Sequence, residues 1–338
     1  MITVAENVPL QSMHTFNVNA NARKVVTFTD EQNIAQAIDK GVFAGQYLIM
    51  GDGSNLLFTK DYEGTIVRLQ NKGIRVIDET SDTILLRVNA GESWKNLIRY
   101  AIDNEYYGIE NLAGIPGWVG SAPVQNIGAY GMEVKDCLYV VHGVDLTTGT
   151  KREFANEDCR FAYRNSIFKT SLKNRFFITK VDFLLHKKKK FNLQYKELQA
   201  RVSSYGEKLT LRDLYHEIMV LREGKLPATE VIGSAGSFFK NPCVSLEQWS
   251  ALSLRYPELS RFFMPDKQVK LSAAQLIERA GWKGKREGQV GTYPQQPLVI
   301  VNYGGATGSD ILRFAHAIQT SVFEKFDVRL EPEVNIIS

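Results

Sequence analysis

The sequence predicts an α+β protein with two domains. In the first two thirds of the chain, β-rich runs such as KVVTFTD (24–30) and TILLRVNAG (83–91) alternate with amphipathic segments such as SWKNLIRYAIDNEYYG (93–108). From LRDLYHEIMVLREGKLP (211–227) onwards, helical patterns dominate. The length of 338 residues also favours two domains, because single domains usually contain roughly 100–200 residues.

The elements before residue 134 follow from runs that are bounded by turn residues. Strands are predicted, in order, at KVVTFTD (24–30), YLIM (47–50) continuing through a glycine turn into GDGSNLLF (51–58), GTIVRL (64–69), IRVIDE (74–79) and TILLRVNAG (83–91). EQNIAQAIDKG (31–41) predicts a helix that ends at Gly41. Ser93 is the expected N-cap of the next helix. The apolar residues at helical spacing in that helix are Trp94, Leu97, Ile98 and Ala101.

After residue 134, LYVVHGVDLTTGTKREF (138–154) predicts a hairpin that turns at TTGT, and FFITKVDFLLH (176–186) predicts a strand. That strand runs into HKKKK (186–190), which suits either a nucleic-acid patch or a solvated strand end. The solvated end is favoured, because no aromatic interleaving or second basic cluster accompanies the run. The remaining predicted elements are helices at 211–227, 245–256, 271–282 and 309–326, the last capped by Ser309, and strands at 298–305 and 330–337. A domain boundary is expected near residues 210–225.

Composition and charge are those of an ordinary globular protein, with 44% hydrophobic and 23% charged residues. A net charge of +4 suits anionic small molecules as well as weak nucleic-acid contact. Cys137, Cys159 and Cys243 are far apart and odd in number, so we expect no metal site or disulfide framework and favour a cytoplasmic protein. The N-terminal MITVAENVPLQ lacks the pattern of a signal peptide, and no apolar run approaches the roughly 18 residues of a membrane span.

Two glycine-rich runs, GDGSN (51–55) and GIPGWVGSAPVQNIGAYG (114–131), are candidate ligand-binding loops. Glycine allows successive backbone N–H groups to turn outward, and the concavity that results binds anions such as a pyrophosphate. Neither run is a Rossmann fingerprint, since the first lacks a third glycine and Pro116 and Pro123 interrupt the second. GDGSN alone is more simply an Asx-type turn. The second run is long for a structureless loop, and such loops are usually functional.

GSAGSFFKNP (233–242) surrounds Ser237 with small residues, a setting that suits a reactive hydroxyl. The pattern is not a nucleophile elbow, and no histidine lies near it in sequence. A tight turn with a buried hydroxyl explains the same residues equally well. Arg164, in CRFAYRNSIFK (159–169), is by itself most simply a surface arginine. Glu333, in LEPEVNII, is either paired at a sheet edge or part of an active site.

These segments together resemble a known family. GDGSNLLF, AGIPGWVGSAPVQNIGAYG, CRFAYRNSIFK, GSAGSFFKNP and LEPEV occur in the order and at the separations found in UDP-N-acetylenolpyruvylglucosamine reductases. The resemblance extends from about residue 15 to the C-terminus. LQYKEL (193–198) is similar to the tyrosine-bearing loop of the family's first type, which the shorter second type lacks.

The resemblance implies an α+β fold in which an FAD-binding domain of the vanillyl-alcohol-oxidase (PCMH) type precedes a smaller α+β substrate-binding domain. We expect the FAD-binding domain at residues 1–214, with the C-terminal strand 330–338 returning towards the active site. The substrate-binding domain is expected at residues 215–329.

A reaction is also implied by the resemblance. NADPH, as co-substrate, would pass a hydride to FAD, and FAD would pass it to the enolpyruvyl double bond of UDP-N-acetylglucosamine enolpyruvate. The product would be UDP-N-acetylmuramate, a peptidoglycan precursor. By match to the family's motifs, Ser237 would donate a proton, and Arg164 and Glu333 would stabilise the enol intermediate. The residues expected to contact the substrate are Tyr163, Tyr195, Lys225 and Asn241, with Tyr195 and Lys225 at its diphosphate.

Non-covalent FAD is expected, because no histidine or cysteine that could tether it lies in either glycine run. The residues expected to bind FAD are Gly51, Gly53, Ser54, Asn55, Ile115, Pro116, Gly120, Ser121, Gln125, Ile127, Gly128 and Tyr130. The expected partner is the small-molecule substrate alone. The protein is expected to be a monomer that binds no nucleic acid, membrane or metal.

The implied chemistry explains a serine without a neighbouring base. Hydride arriving at the methylene carbon leaves an enolate beside a carboxylate, and a donor such as a guanidinium stabilises this charge. The enolate carbon then needs a proton, which a hydroxyl can donate to so strong a base at contact distance. Ser237 therefore needs no histidine.

One segment departs from the family pattern. Ala273-Ala274-Gln275-Leu276-Ile277 stands where members usually have Ala-Gly-Trp-Leu-Ile. FFMPDKQVK (262–270) lacks the usual tyrosine, with Met264 near its place. The resemblance therefore does not predict which side chains of residues 263–277 contact the uridine end of the substrate.

Two other functions have less support: a flavin oxidase of the same fold, and a nucleotide-sugar-binding regulator without catalysis. Retention of Ser237, Arg164 and Glu333 together argues against the regulator.

Overall fold

A computed structural model describes residues 1–264 and 267–338 of the chain. Pro265 and Asp266, in the divergent FFMPDKQVK stretch, lie outside the described residues. The α-helices are α1 (Gln32–Asp39), α2 (Trp94–Asp103), α3 (Lys196–Val202), α4 (Leu211–Glu223), α5 (Leu246–Arg255), α6 (Ala273–Arg279) and α7 (Gly308–Phe326). Short 3-10 turns lie at Gln11–Met13, Glu110–Leu112, Val119–Ser121, Val134–Asp136, Glu157–Cys159, Ile167–Lys169 and Ser203–Lys208.

The strands are β1 (Ile2–Pro9), β2 (Asn21–Phe28), β3 (Tyr47–Ile49), β4 (Leu56–Phe58), β5 (Tyr62–Leu69), β6 (Ile74–Glu79), β7 (Thr83–Asn89), β8 (Gly128–Ala129), β9 (Met132–Glu133), β10 (Leu138–Asp145), β11 (Lys151–Ala155), β12 (Phe176–His186), β13 (Gly233–Ser237), β14 (Cys243–Ser245), β15 (Arg261–Phe263), β16 (Gln268–Leu271), β17 (Arg286–Glu287), β18 (Val290–Tyr293), β19 (Gln296–Asn302) and β20 (Asn335–Ile337).

The chain divides into two compact units. The first unit comprises Met1–Val8, Ala22–Asp52 and Glu63–Arg222. The second unit comprises Pro9–Asn21, Gly53–Tyr62 and Glu223–Ser338. Two short segments from the first fifth of the chain therefore belong to the unit that the C-terminal residues form. The chain passes from the first unit to the second inside the GDGSN run, between Asp52 and Gly53.

The first unit contains an antiparallel sheet in the order β11-β10-β12-β7-β6. Val181 of the central strand β12 lies opposite Val141 of β10 and Val88 of β7, and all three side chains are fully buried. A second sheet has the order β1-β2-β5-β3, in which β3 and β5 are parallel. The hairpin β10–β11 turns at TTGT, as predicted.

Helix α2 begins after Ser93 as predicted, but another residue stabilises its start. The four apolar residues at helical spacing, from Trp94 to Ala101, are buried. The Ser93 side chain makes no capping hydrogen bond. Oε1 of Glu92 instead accepts hydrogen bonds from the Ser93 amide (2.9 Å) and from Nδ2 of Asn96 (3.0 Å). The Glu92 carboxylate thus holds the N-cap residue and one side chain of the first turn, and its negative charge is favourable at a helix N-terminus, although it caps no amide of that turn.

The basic run that follows β12 forms ordinary ion pairs within the first unit. Lys187 contacts Glu79, and Lys188 contacts Asp82. These carboxylates neutralise much of the local charge. The arrangement is that of a solvated strand end, the interpretation favoured from the sequence.

The described residues of the second unit form three sheets. They have the orders β13-β19-β18-β17, β14-β16-β15 and β20-β4, and the last pair is parallel. The periodicity of helix α7, which begins at Gly308 and ends at Phe326, predicts five apolar residues on one face. Ile311, Ala315, Ile318 and Val322 are buried, as predicted, whereas the fifth, Leu312, is half-buried.

The predicted N-cap of α7, Ser309, is wrong. Thr307 occupies that position, and its Oγ1 accepts a hydrogen bond from the Asp310 amide (3.1 Å). Oδ2 of Asp310 accepts in return from the Thr307 amide (3.0 Å), which completes a capping box. The Ser309 hydroxyl donates to the carbonyl of Thr59 instead (3.1 Å).

Candidate active site

The predicted site residues are distributed over both units. Those in the first unit are Gly51, Ile115, Pro116, Gly120, Ser121, Gln125, Ile127, Gly128, Tyr130, Tyr163, Arg164 and Tyr195. Those in the second unit are Gly53, Ser54, Asn55, Lys225, Ser237, Asn241 and Glu333.

Ser237 is the last residue of strand β13, so it does not lie in the tight turn that the sequence offered as an alternative. The strand pairs with β19, and an irregularity in the register separates Ser234 from Ser237. Gly236, within this irregularity, has a φ of +69°, which glycine adopts without strain. Bulges of this kind redirect a side chain at a sheet edge. The Ser237 side chain is half-buried, whereas Phe238 and Phe239 after it are buried in the second unit.

Glu333 lies beside the same segment of backbone. Its amide donates a hydrogen bond to the carbonyl of Phe238, the residue after Ser237 (2.8 Å). A second hydrogen bond joins the same two segments two residues further along, from the Lys240 amide to the carbonyl of Glu331 (2.9 Å). The second unit therefore brings together two predicted catalytic residues that are far apart in sequence.

Arg164 differs from a solvated surface arginine. Its guanidinium is half-buried in the first unit, where Nη2 donates a hydrogen bond to the carbonyl of Gly128 (3.0 Å). It also lies 5.3 Å from the centre of the Tyr163 ring. The backbone of Arg164 has a φ of +54°, a conformation that is uncommon for a residue with a side chain and is found preferentially at functional sites.

The two glycine runs approach each other in the first unit. A Cβ atom on Gly51 would lie 2.5 Å from Oγ of Ser121, which belongs to the longer run. A Cβ atom on Gly120 would lie 2.6 Å from that of Ala90. Side chains at these positions would push the segments apart. Gly51, the first residue of the GDGSN run, thus lies beside the longer run in the first unit, as binding of a shared ligand requires.

The two glycine runs differ in whether their backbone amides donate hydrogen bonds within the protein. Those of residues 119 to 122 all donate to backbone carbonyls, whereas those of residues 51 to 54 donate to no partner within the described residues. Gly53 is buried, with a φ of +71°, and a buried amide without an acceptor is rare in a folded protein. Phosphate oxygens are suitable acceptors for such a row of amides. The GDGSN turn therefore fits the diphosphate of FAD.

Arg68 is a candidate binding residue that the sequence did not reveal. Its Nη2 donates to the carbonyl of Gly51 (3.2 Å), and its guanidinium lies 4.7 Å from the centre of the Trp118 ring. Burial lowers the pKa of Arg68, although the charge of Asp52 opposes this shift. Nε of Arg68 is buried without a hydrogen-bond partner among the described residues. The only sequence signal was an arginine inside the β-rich run GTIVRL.

The loop that carries Tyr195 is fixed to the longer glycine run. The Tyr195 ring packs edge-on against that of Tyr130, with centroids 5.3 Å apart. Nδ2 of the buried Asn111 donates to the carbonyls of Tyr130 (2.9 Å) and Asn192 (2.8 Å). Burial lowers the pKa of Arg222, which also hydrogen-bonds Tyr130. A predicted substrate residue, Tyr195, and a predicted cofactor residue, Tyr130, thus contact each other and lie in segments that Asn111 connects.

Lys225 and Asn241 lie in the second unit. Lys225 is half-buried and follows the end of helix α4 at Glu223. Oδ1 of Asn241 accepts a hydrogen bond from the amide of Ala273 (3.0 Å). Ala273 is the first residue of α6, so Asn241 helps to hold the segment in which the sequence departs from the family pattern.

Other buried ionisable groups have structural roles. Burial raises the pKa of Glu110, whose carboxylate accepts hydrogen bonds from the amides of Gly108 (2.6 Å) and Ile109 (3.0 Å). Burial likewise raises the pKa of the Cys159 thiol to about 12, so this thiol stays protonated. Residues 1–264 and 267–338 contain no group of three or more His, Cys, Asp or Glu side chains that could hold a metal ion. Every helix in the described part of the chain is too short or too polar to cross a lipid bilayer.

Comparisons with known proteins agree with this arrangement. The family model described as "UDP-N-acetylenolpyruvoylglucosamine reductase, C-terminal domain" matches residues 227–337, and the "FAD binding domain" model matches residues 22–153. The UDP-N-acetylenolpyruvoylglucosamine reductase of Amoebophilus asiaticus is 42% identical over 334 residues, which are 98% of each chain. The protein of the same name from Pseudomonas aeruginosa is 39% identical over 337 residues, 99% of each chain.

A solved structure supports the fold. The UDP-N-acetylenolpyruvylglucosamine reductase of Thermus caldophilus matches with a TM-score of 0.68 over 100% of this chain and 99% of its own, at 22% sequence identity. The predicted fold class, an α+β FAD-binding domain followed by a second α+β domain, is confirmed. The resemblance drawn from the sequence motifs is confirmed as well. The chain belongs to the UDP-N-acetylenolpyruvoylglucosamine reductase family, and it is an FAD-dependent oxidoreductase.

Proposed function

We propose that this enzyme uses NADPH to reduce the enolpyruvyl group of UDP-N-acetylglucosamine enolpyruvate, which gives UDP-N-acetylmuramate for peptidoglycan synthesis. Membership of the family and the FAD-binding domain support this reaction. The observation that carries the proposal is the hydrogen bond from the Glu333 amide to the carbonyl beside Ser237. This hydrogen bond brings the backbone of the proposed proton donor next to that of one proposed enol stabiliser, which suits two groups that act on one substrate.

FAD, when bound, supplies the hydride for the reaction. Addition of hydride to the methylene carbon moves the electron pair of the double bond towards the substrate carboxylate, as an enolate. Arg164 stabilises the negative charge of this enolate, and Glu333 stabilises its enol form. Ser237 then donates its hydroxyl proton to the other carbon of the former double bond, the one next to the carboxylate, and regains a proton from solvent. The double bond has gained one hydride and one proton.

In this proposal, the predicted FAD-binding residues of the two glycine runs hold FAD without a covalent bond. The amides of residues 51 to 54 support this assignment, since they offer donors to a diphosphate. Tyr163, Tyr195, Lys225 and Asn241 contact the substrate. The proposed FAD-binding domain comprises residues 1–214 and the proposed substrate-binding domain residues 215–329, with residues 330–338 returning to the site. The enzyme acts as a monomer in the cytoplasm.

Anaerobic flavin absorbance tests the proposal. NADPH should bleach the yellow protein, and UDP-N-acetylglucosamine enolpyruvate should then restore the colour, with UDP-N-acetylmuramate identified by mass. UDP-N-acetylglucosamine, which lacks the enolpyruvyl group, is the matched control and should leave the flavin reduced. Precipitation with acid should release all of the flavin into the supernatant. Reoxidation by oxygen but not by the enolpyruvyl compound would support the flavin oxidase instead.

A further inference from the structure

Asn55, the last residue of the GDGSN turn, connects this turn to the segment that carries Glu333. Nδ2 of Asn55 donates a hydrogen bond to the carbonyl of Glu333 (3.2 Å). The Asn55 carbonyl accepts from the amide (3.1 Å) and Nδ2 (3.2 Å) of Asn335. Strands β4 and β20 continue from here in parallel register, with Leu56 opposite Asn335. All of these contacts lie within the second unit.

Glu333 is therefore held at both of its peptide bonds. Its amide donates to the carbonyl of Phe238 (2.8 Å), and its carbonyl accepts from the Asn55 side chain (3.2 Å). Glu333 precedes β20, which begins at Asn335, so a strand ladder does not fix its carbonyl. The two hydrogen bonds restrain the backbone of Glu333, and the backbone conformation determines where its side chain starts and which rotamers it can adopt.

We propose that Asn55 is a positioning residue for Glu333, in addition to its predicted place beside FAD. The inference rests on the proposed function, in which Glu333 stabilises the enol. Through its side chain, Asn55 holds the carbonyl of Glu333 at a fixed distance from the GDGSN turn. Phe238 holds the amide of Glu333 next to Ser237. Loss of the Asn55 side-chain amide would remove the hydrogen bond to the Glu333 carbonyl and shift the Glu333 backbone, without removing any group from the reacting atoms.

The test is Asn55→Ala, with the two half-reactions measured separately by anaerobic stopped-flow absorbance at saturating FAD. Reoxidation of the reduced flavin by UDP-N-acetylglucosamine enolpyruvate should slow by about tenfold or more, the range found for misplaced catalytic groups. Flavin reduction by NADPH needs no enol stabilisation and should stay near the parent rate. The dissociation constant of FAD, measured by flavin fluorescence, should change much less than the reoxidation rate.

Asn335→Ala is the matched control. It removes a side-chain hydrogen bond of similar length from the same strand pair, but this bond does not reach Glu333. Both half-reactions should stay at the parent rate. Asn55→Leu keeps the approximate size of the side chain and removes the N–H donor without adding a charge, so it should reproduce the Asn55→Ala defect if the smaller residue prevents folding.

A double-mutant cycle separates this inference from the proposed function. If Asn55 acts through Glu333, adding Asn55→Ala to Glu333→Ala should slow reoxidation no further than Glu333→Ala alone. Normal reoxidation in Glu333→Ala itself would overturn the proposed role of Glu333. A slow Glu333→Ala variant combined with a normal Asn55→Ala variant would overturn the positioning role. Additive defects, or a defect that consists mainly of lost FAD, would also overturn it and would leave Asn55 as a cofactor residue alone.

Discussion

At the scale of the residue, Ser237 is expected to serve only one half of the reaction. Ser237→Ala should fold, bind FAD and be reduced by NADPH at a near-normal rate, because hydride transfer to FAD needs no proton from the serine. Reoxidation by the enolpyruvyl substrate should fall by roughly two or more orders of magnitude, the contribution of a positioned acid. Stopped-flow flavin absorbance measures each half-reaction.

Two variants sharpen the Ser237 experiment. Ser237→Cys keeps a transferable proton and should recover part of the lost rate. Ser250→Ala, on the exposed side of α5, is the control and should leave both half-reactions unchanged. Reoxidation of Ser237→Ala at the parent rate would show that the hydroxyl has a structural role only.

Lys225 should contribute to binding more than to chemistry. A lysine that contacts a diphosphate as a point charge stabilises the ground state and the transition state to similar extents. Lys225→Ala should therefore raise KM for the UDP-sugar by a larger factor than it lowers kcat. Steady-state kinetics with saturating NADPH measure both. A variant that mainly loses flavin would place the lysine in the cofactor pocket instead.

The sequence identified some site residues better than others, for a physical reason. Ser237 and Arg164 lie in short runs whose small and aromatic neighbours are unusual, so the runs stand out by themselves. Arg68 lies in an ordinary β-rich run, and the residues that make it notable, Gly51 and Trp118, lie far from it in sequence. Contacts of this kind depend on tertiary packing, which single-sequence patterns do not contain.

At the scale of the element, Arg68 joins strand β5 to both glycine runs through Gly51 and Trp118. Its buried charge should favour an anionic ligand nearby. Arg68→Met keeps contact with Trp118 and removes the charge, so it should raise the dissociation constant of FAD about tenfold, the equivalent of about 1.4 kcal/mol. Flavin fluorescence titration measures this constant.

Two further variants separate charge from packing at this position. Arg68→Lys restores the charge and should recover part of the FAD affinity. Arg75→Met removes an exposed arginine from β6 in the same unit and should leave the affinity unchanged. An Arg68→Met variant with the parent affinity would show that Arg68 only packs against Trp118.

Helices and strands with a clear apolar periodicity are predicted closely from the sequence. The structure of other segments is determined by the elements that pack against them. Helix α7 was found from its apolar face, but its N-cap was misplaced by two residues, because Thr307 and Asp310 form a better capping box than Ser309 allows. GSAGS was not predicted as a strand, because glycine, serine and alanine have low strand propensity. Pairing with the buried strand β19 imposes the strand there.

At the scale of the whole molecule, the segment Pro9–Asn21 belongs to the second unit although it precedes most of the first. Its composition does not differ from that of its neighbours, so no sequence pattern assigns it to the second unit. Packing explains the assignment: the carbonyl of Thr15 accepts from the Ser234 amide (2.9 Å), and a Cβ atom on Gly53 would lie 2.7 Å from Cα of His14. The segment thereby joins the GDGSN turn to strand β13.

The burial of His14 predicts that the stability of this unit depends on pH. Its ring is buried, with Nε2 bonded to the carbonyl of Val18 (3.2 Å) and Nδ1 without a partner among the described residues. Burial lowers the pKa of His14 below its ordinary value of 6.5, while the hydrogen bond to Val18 opposes the shift. Above that value both the folded and unfolded chains carry a neutral ring. Below it, the unfolded chain takes up a proton that the folded chain resists, so unfolding is favoured.

The stability contributed by a neutral His14 is therefore present above about pH 6.5 and is lost as the pH falls towards the lowered folded-state pKa. At about pH 5.5 this loss can reach about 1.4 kcal/mol, since one pH unit corresponds to about 1.4 kcal/mol per proton. His14→Gln keeps a donor for Val18 and cannot be protonated. Its free energy of unfolding in urea should fall less than that of the parent between about pH 7.5 and about pH 5.5. Equal pH dependence in the two proteins would show that His14 takes up its proton without unfolding the chain, and that other groups produce any loss of stability over this range.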